Sequence, residues 1–322
     1  MALAYRHVDG WEKLPAGYSH KDVVGVQIDP HDRVYILTRF DPQVLVFESD
    51  GTFVASFAQG MFTPRTHGLT IAPDGALFCV DDGDHTVRKL SPEGKLLMMI
   101  GTPGVASDTG YTGTIESIAR SAGPFNRCTN LAVAPSGELY VSDGYGNARV
   151  HRFAADGRLI QSWGRPGTGL GEFNLPHGVA IEPNGNVWVA DRENDRIQIF
   201  TADGKYLREW TQVQRPTQVR IQGGRVYVSE LWWRVGQRSM RRGPITKDEF
   251  GRVSIFDMEG NLLGRIEGGP NPARKDGLVA PHDVAVDSEG AIYVGEVTQT
   301  FAVKAGVVPE GTHSLQKFEP VG

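Results

Sequence analysis

Three histidines in this chain stand at the same place in a repeated unit: His67 in Thr66-His67-Gly68-Leu69, His177 in Leu175-Pro176-His177-Gly178-Val179, and His282 in Ala280-Pro281-His282-Asp283. Six units align, and the equivalent positions read Val24, His67, Thr129, His177, Thr217 and His282. Histidine occupies only the alternate ones. In a closed ring of six units such residues lie about 120° apart around the axis and point inward. Three imidazoles with one coordination position left open are the ligand pattern of catalytic zinc, whereas structural zinc sites fill all four, usually with cysteine. A polar lining of the central channel is the plainer alternative.

The position after each of these reads Gly25, Gly68, Asn130, Gly178, Gln218 and Asp283. Asp283 could hold a second ion, orient a histidine or act as acid or base. The small glycines leave main-chain carbonyls near the axis uncovered. Carbonyl oxygens with a carboxylate suit a hard cation such as calcium.

The elements that position these residues repeat as plainly. Second strands such as Leu77-Phe78-Cys79-Val80, Leu139-Tyr140-Val141-Ser142 and Val187-Trp188-Val189-Ala190 each follow a turn such as Pro73-Asp74-Gly75, Pro135-Ser136-Gly137 or Pro183-Asn184-Gly185. Paired Asp, Ser or Asn with Gly between short alternating runs marks a hairpin, because glycine supplies the positive φ. A third run, a further Gly turn and a fourth run follow. The expected fold is all-β: a six-bladed propeller of four antiparallel strands per blade, one domain over residues 1–322. The blades are expected near residues 22–60, 65–101, 125–164, 173–211, 214–267 and 278–322. The last unit ends at its third strand, so a strand near residues 5–11 is expected to close the ring and cover the open edge.

Three segments interrupt the period, at residues 102–124, 231–250 and 297–313. Loops of this length are usually functional. The last two leave the ends of second strands and are expected to overhang the site, with Trp232 and Trp233 making the blade-five loop a candidate lid.

Composition bounds the partners. With 33 basic and 38 acidic residues the net charge is 33 − 38 = −5, and no basic block occurs, so nucleic acid and anionic membranes are poor partners. No apolar run approaches the roughly 18 residues of a membrane span. Two cysteines, Cys79 and Cys128, make no disulfide framework. The first residues lack the apolar core of a secretion signal, and a cytoplasmic location is expected.

On these anchors, with Val141-Ser142-Asp143-Gly144-Tyr145-Gly146-Asn147-Ala148-Arg149, the chain resembles the NHL-repeat propellers, and among them the peptidyl-α-hydroxyglycine α-amidating lyases. The resemblance spans about Val23 to Phe318. It implies zinc, or another divalent transition metal, on His67, His177 and His282. It implies a structural calcium on Asp283 with the main-chain carbonyls of Val26 and Leu69. It also implies that Arg39 and Tyr145 are catalytic. The implied substrate is a small or peptide-like molecule bearing a carboxylate; no oligomeric state follows. The implied reaction splits the C–N bond of a carbinolamide into an amide and glyoxylate. Zinc would lower the pKa of the substrate hydroxyl, and a base would remove its proton. Tyrosine, ordinarily near pKa about 10, serves only beside a cation. Arg39 could supply that charge or hold the carboxylate, for which arginine is preferred over lysine.

The chain departs from that family at Ala280, where the family has Met, and at Gly146, where it has a disulfide cysteine, leaving Cys128 unpaired. No copper monooxygenase half is expected beside it. Two other readings stand beside the lyase: a metal-dependent lactonase or esterase, and a non-catalytic NHL scaffold that binds a protein.

Overall fold

The computed structural model describes residues 3–321 and consists of six four-stranded antiparallel sheets around one axis. Residues Val23–Ile28, Thr66–Ile71, Cys128–Val133, Pro176–Ile181, Pro216–Gln222 and Pro281–Val286 form the first strand of each blade. The sixth blade is completed from the other end of the chain, as expected: Tyr5–His7 pairs with Leu315–Pro320, Tyr5 opposite Pro320 and His7 opposite Phe318. Among the described residues no helix is long and apolar enough to cross a membrane.

Because each second strand is sandwiched between blades on both faces, its residues are buried without alternation, as in Val34–Thr38, Leu77–Asp81 and Val187–Asp191. Side chains of neighbouring blades interlock there; one cluster joins Phe78 and Val80 of blade two to Leu131, Val141 and Phe153 of blade three.

Two repeated devices fix the hub. The first is an acid at the end of the second strand in five blades, Asp81, Asp143, Asp191, Glu230 and Glu296. Each accepts the backbone N–H of the segment entering its own first strand: Thr63 (2.6 Å), Asn126 (3.0 Å), Asn174 (2.8 Å), Gln214 (2.5 Å), and Val279 with Ala280 (2.6 and 2.7 Å). Where buried, as at Asn126, Gln214, Val279 and Ala280, these amides would otherwise lack a partner, a cost of about 1–3 kcal/mol each. The second is a bulge. In all six blades the register between first and second strands slips at one place, between Val23 and Gly25, Thr66 and Gly68, Cys128 and Asn130, Pro176 and Gly178, Pro216 and Gln218, and Pro281 and Asp283. The residue passed over is Val24, His67, Thr129, His177, Thr217 or His282. A bulge turns one residue out of the ladder and re-aims its side chain. Here it aims that residue at the axis.

Candidate metal centre

The three histidines meet on the axis. One ring nitrogen from each lies within 4.8 Å of the others, and the ring centroids are 4.6–4.7 Å apart. All three are buried, at 0%, 1% and 4% exposure. Each gives its Nδ1 side to the main-chain carbonyl at the same repeat position one blade on: His67 to Thr129 (2.6 Å), His177 to Thr217 (2.7 Å), His282 to Val24 (2.8 Å). The carbonyl can only accept, so Nδ1 carries the proton and Nε2 keeps its lone pair. Three lone pairs therefore face one another, with Nε2 of His67 and His282 only 3.3 Å apart. Burial and the neighbouring cations hold all three rings neutral, His282 pushed down to about 3.

Such a cluster is repulsive without a cation. Tetrahedral zinc with bonds of about 2.05 Å sets its nitrogens about 3.3 Å apart, the separation seen between His67 and His282. The donor set fits a zinc-like ion, with Nδ1 partners that orient each ligand. Glycines follow two of the histidines for a steric reason. A Cβ on Gly68 would sit 2.8 Å from the Thr129 carbonyl oxygen, and one on Gly178 2.6 Å from that of Thr217.

Tyr145 stands over the open side. Its phenolic oxygen is 3.1 Å from His67 Nε2 and 3.4 Å from His177 Nε2, and Arg192 Nη1 donates to it at 3.2 Å. Arg65, held by Asp82, lies 5.9 Å from the Tyr145 ring. Arg192 and Arg65 were not singled out by sequence. A signal existed for Arg192: it directly follows the second strand of blade four, as Arg39 follows that of blade one, half a turn across the ring.

Arg39 reaches the same face from the opposite side. Its Nη1 donates to Asp22 and Thr300, both at 3.0 Å, while its buried Nε has no partner. A cleft of about 970 Å³ opens beside Arg39 and Arg65, walled by residues 12–22 and the blade-six loop.

Asp283 is not brought to the tripod. Its oxygens accept the backbone N–H of Val26 (2.9 Å) and of Val284 (2.8 Å), and it bonds to none of the histidines. Asp283 remains the carboxylate that would hold calcium together with the main-chain carbonyls of Val26 and Leu69. Val26 offers its amide to this carboxylate, and Arg220, bonded to the Val284 carbonyl at 3.2 Å, lies close by. Burial lifts the Asp283 carboxyl to about 6, with Arg220 the leading influence the other way.

The loop at 231–250 overhangs this face as expected but is pinned down. Trp232 and Trp233 are 6% and 1% exposed. Trp233 Nε1 donates to Asp195 at 2.7 Å, and Arg215 stacks on its ring at 4.1 Å. Arg242 joins Asp195 and Glu249, and Met240 N donates to Glu193. The loop is a fixed wall. In the blade-six loop the turn Gln299–Val303 carries Phe301 between Arg215 and Arg234. Cys79 and Cys128 are free and buried.

Comparison with known proteins agrees with this architecture. Residues 125–153 and 173–200 match the NHL repeat model. The chain is 30% identical to NHL repeat-containing protein 3 of Mus musculus over 89% of this chain and 76% of that protein. It is 28% identical to peptidyl-alpha-hydroxyglycine alpha-amidating lyase 1 of Drosophila melanogaster over 72% of this chain, a match spanning 42% of the fly protein. Among solved structures, virginiamycin B lyase from Staphylococcus aureus superposes with a TM-score of 0.59, covering 99% of this chain and 100% of that one at 12% identity, which shows a common fold.

Proposed function

The chain belongs to the NHL-repeat propellers, in the family of NHL repeat-containing protein 3, and from that premise we propose that it is a metal-dependent lyase. The reaction is cleavage of the C–N bond of an α-hydroxyglycine or related carbinolamide to an amide and glyoxylate. The observation that carries the proposal is the phenolic oxygen of Tyr145, held between Arg192 and two imidazole nitrogens of the tripod. Homology to an amidating lyase supports the same reading.

His67, His177 and His282 hold the divalent ion through Nε2. When bound, that ion supplies Lewis acidity at the substrate's hydroxyl oxygen. Tyr145 takes the hydroxyl proton. As the O–H electrons become the second bond of the new carbonyl, the C–N pair leaves on nitrogen, which receives the proton in turn. No water is consumed. Arg192, hydrogen-bonded to the phenolic oxygen, stabilises the phenolate form in which Tyr145 can take that proton. Arg39, with donors to spare on the opposite rim, holds the substrate carboxylate, and the adjoining cleft takes the N-acyl part. The buried site limits water around the exchanging proton.

The test is incubation with α-hydroxyhippurate and assay of glyoxylate. Equimolar glyoxylate and benzamide are expected. Tyr145→Phe is expected to lose about 10²–10⁴ in turnover while keeping its metal. No glyoxylate from the metal-loaded protein, or full turnover in the Phe variant, would refute the assignment.

A further inference from the structure

The two ends of the chain meet beside the cleft next to Arg39, and there they bring three side chains into line. Glu12 and His20 lie in the segment that follows the closing strand Tyr5–His7, and Ser314 directly precedes that strand's partner, Leu315–Pro320. His20 Nε2 is 2.7 Å from Glu12 Oε1, and His20 Nδ1 is 3.3 Å from Ser314 Oγ. A carboxylate can only accept, so Nε2 carries the proton and Nδ1 receives the serine hydroxyl. Acid, imidazole and hydroxyl in this order make an activated nucleophile: the acid fixes the tautomer and the imidazole takes the hydroxyl proton. A like chain, Asp143–His151–Ser162, runs through blade three, but there His151 is wholly buried between strands and meets no substrate. Glu12, His20 and Ser314 instead all line the cleft of about 970 Å³, with Lys21, Arg39 and Lys304 on the same walls.

We propose that Ser314, His20 and Glu12 form a second catalytic centre, which hydrolyses small carboxylic esters that bear an anionic group. Ser314 Oγ bonds to the ester carbonyl carbon while its proton passes to His20 Nδ1, and Glu12 faces the imidazolium that results. The ester C–O bond then breaks, and the alcohol leaves with that proton. Water bonds to the acyl carbon and gives a proton to His20; the acid departs as this proton returns to Ser314 Oγ. Lys21 and Lys304 put positive charge in the cleft where an oxyanion develops, and Arg39 suits the anionic group of the ester. The steps use these side chains and water alone, so the proposal does not rest on the lyase reading.

The experiment treats the zinc-loaded protein with diisopropyl fluorophosphate and follows its intact mass and peptide map. The reagent joins an activated serine oxygen to phosphorus and expels fluoride, so it marks the serine and not a metal-bound hydroxide. A single adduct, on Ser314, is expected, with hydrolysis of p-nitrophenyl acetate falling in step with labelling. His20→Gln is expected to slow the labelling about 10²–10⁴-fold, and Glu12→Gln to slow it less. Absence of an adduct on Ser314 in the folded wild type would overturn the proposal, and this arm needs no variant to fold. So would labelling of the His20 variant at the wild-type rate, or ester hydrolysis undiminished in fully labelled protein.

Discussion

His67 gives its Nδ1 proton to the carbonyl of Thr129 at 2.6 Å, and the two residues hold the same repeat position in adjacent blades. The relation recurs at His177 with Thr217 and at His282 with Val24. Odd blades supply the acceptor and even blades the ligand, so the ring works as a threefold site built from sixfold repetition. The bulge makes both possible by turning side chain and carbonyl together toward the axis.

That arrangement leaves no room for a methyl group beside the ligands. Gly178→Ala would press on the carbonyl that orients His177. The expected outcome is a loss of about 1–3 kcal/mol by denaturant unfolding and metal affinity weakened about 10–100-fold in a chelator competition. An unchanged affinity would separate the carbonyl from ligand orientation.

The two arginines that end equivalent strands have different work. Arg192→Gln is expected to lower kcat with little change in KM, because it acts at the phenolic oxygen. Arg39→Gln is expected mainly to raise KM, because it binds carboxylate. The measurement is steady-state kinetics of both variants on α-hydroxyhippurate. The opposite split would exchange the roles.

Much of this was legible in the sequence. The six-unit period, the closing strand at Tyr5–His7 and the alternate histidines follow from hairpin signals and spacing. The bulge was not legible, because Val24, Thr129 and Thr217 look like ordinary strand residues and the slip appears only in the pairing. Arg192 was hidden among other surface-like arginines, although its register matches that of Arg39. Asp283 is adjacent to His282 in sequence, yet its carboxylate is taken by the amides of Val26 and Val284; adjacency along a bulged strand does not imply a shared site. The Trp232–Trp233 pair reads as a candidate lid in sequence, but Asp195 reaches the second of them from blade four, a contact sequence spacing cannot reveal.

Asp195 is wholly buried and accepts from Arg215 N (2.6 Å), Trp233 Nε1 (2.7 Å) and Arg242 Nε (2.8 Å). Its φ of +50° suits Asp and Asn more than other residues. Asp195→Ala is expected to cost about 3 kcal/mol and to open the 231–250 wall to protease, with Asp195→Asn intermediate. Native-like stability in the Ala variant would mean the wall is held elsewhere.

His313 ties the blade-six loop to Gly277 O (2.8 Å) and to Glu296 (3.4 Å). Burial pulls its pKa down, but the Glu296 carboxylate and the hydrogen bonds prevail and raise it. A raised folded value means the ion pair contributes fully below the unfolded value of about 6.5 and fades as pH climbs through the folded one. The Tm gap between wild type and His313→Gln is therefore expected to be wide near pH 6 and to narrow toward alkaline pH. A gap independent of pH would show that the tether is uncharged.

The central claim is that three neutral imidazoles share one ion, and elemental analysis of purified protein tests it most directly. About one transition-metal ion per chain is expected, retained in Tyr145→Phe and lost in His177→Ala. A metal-free chain with undiminished glyoxylate release from α-hydroxyhippurate would contradict it.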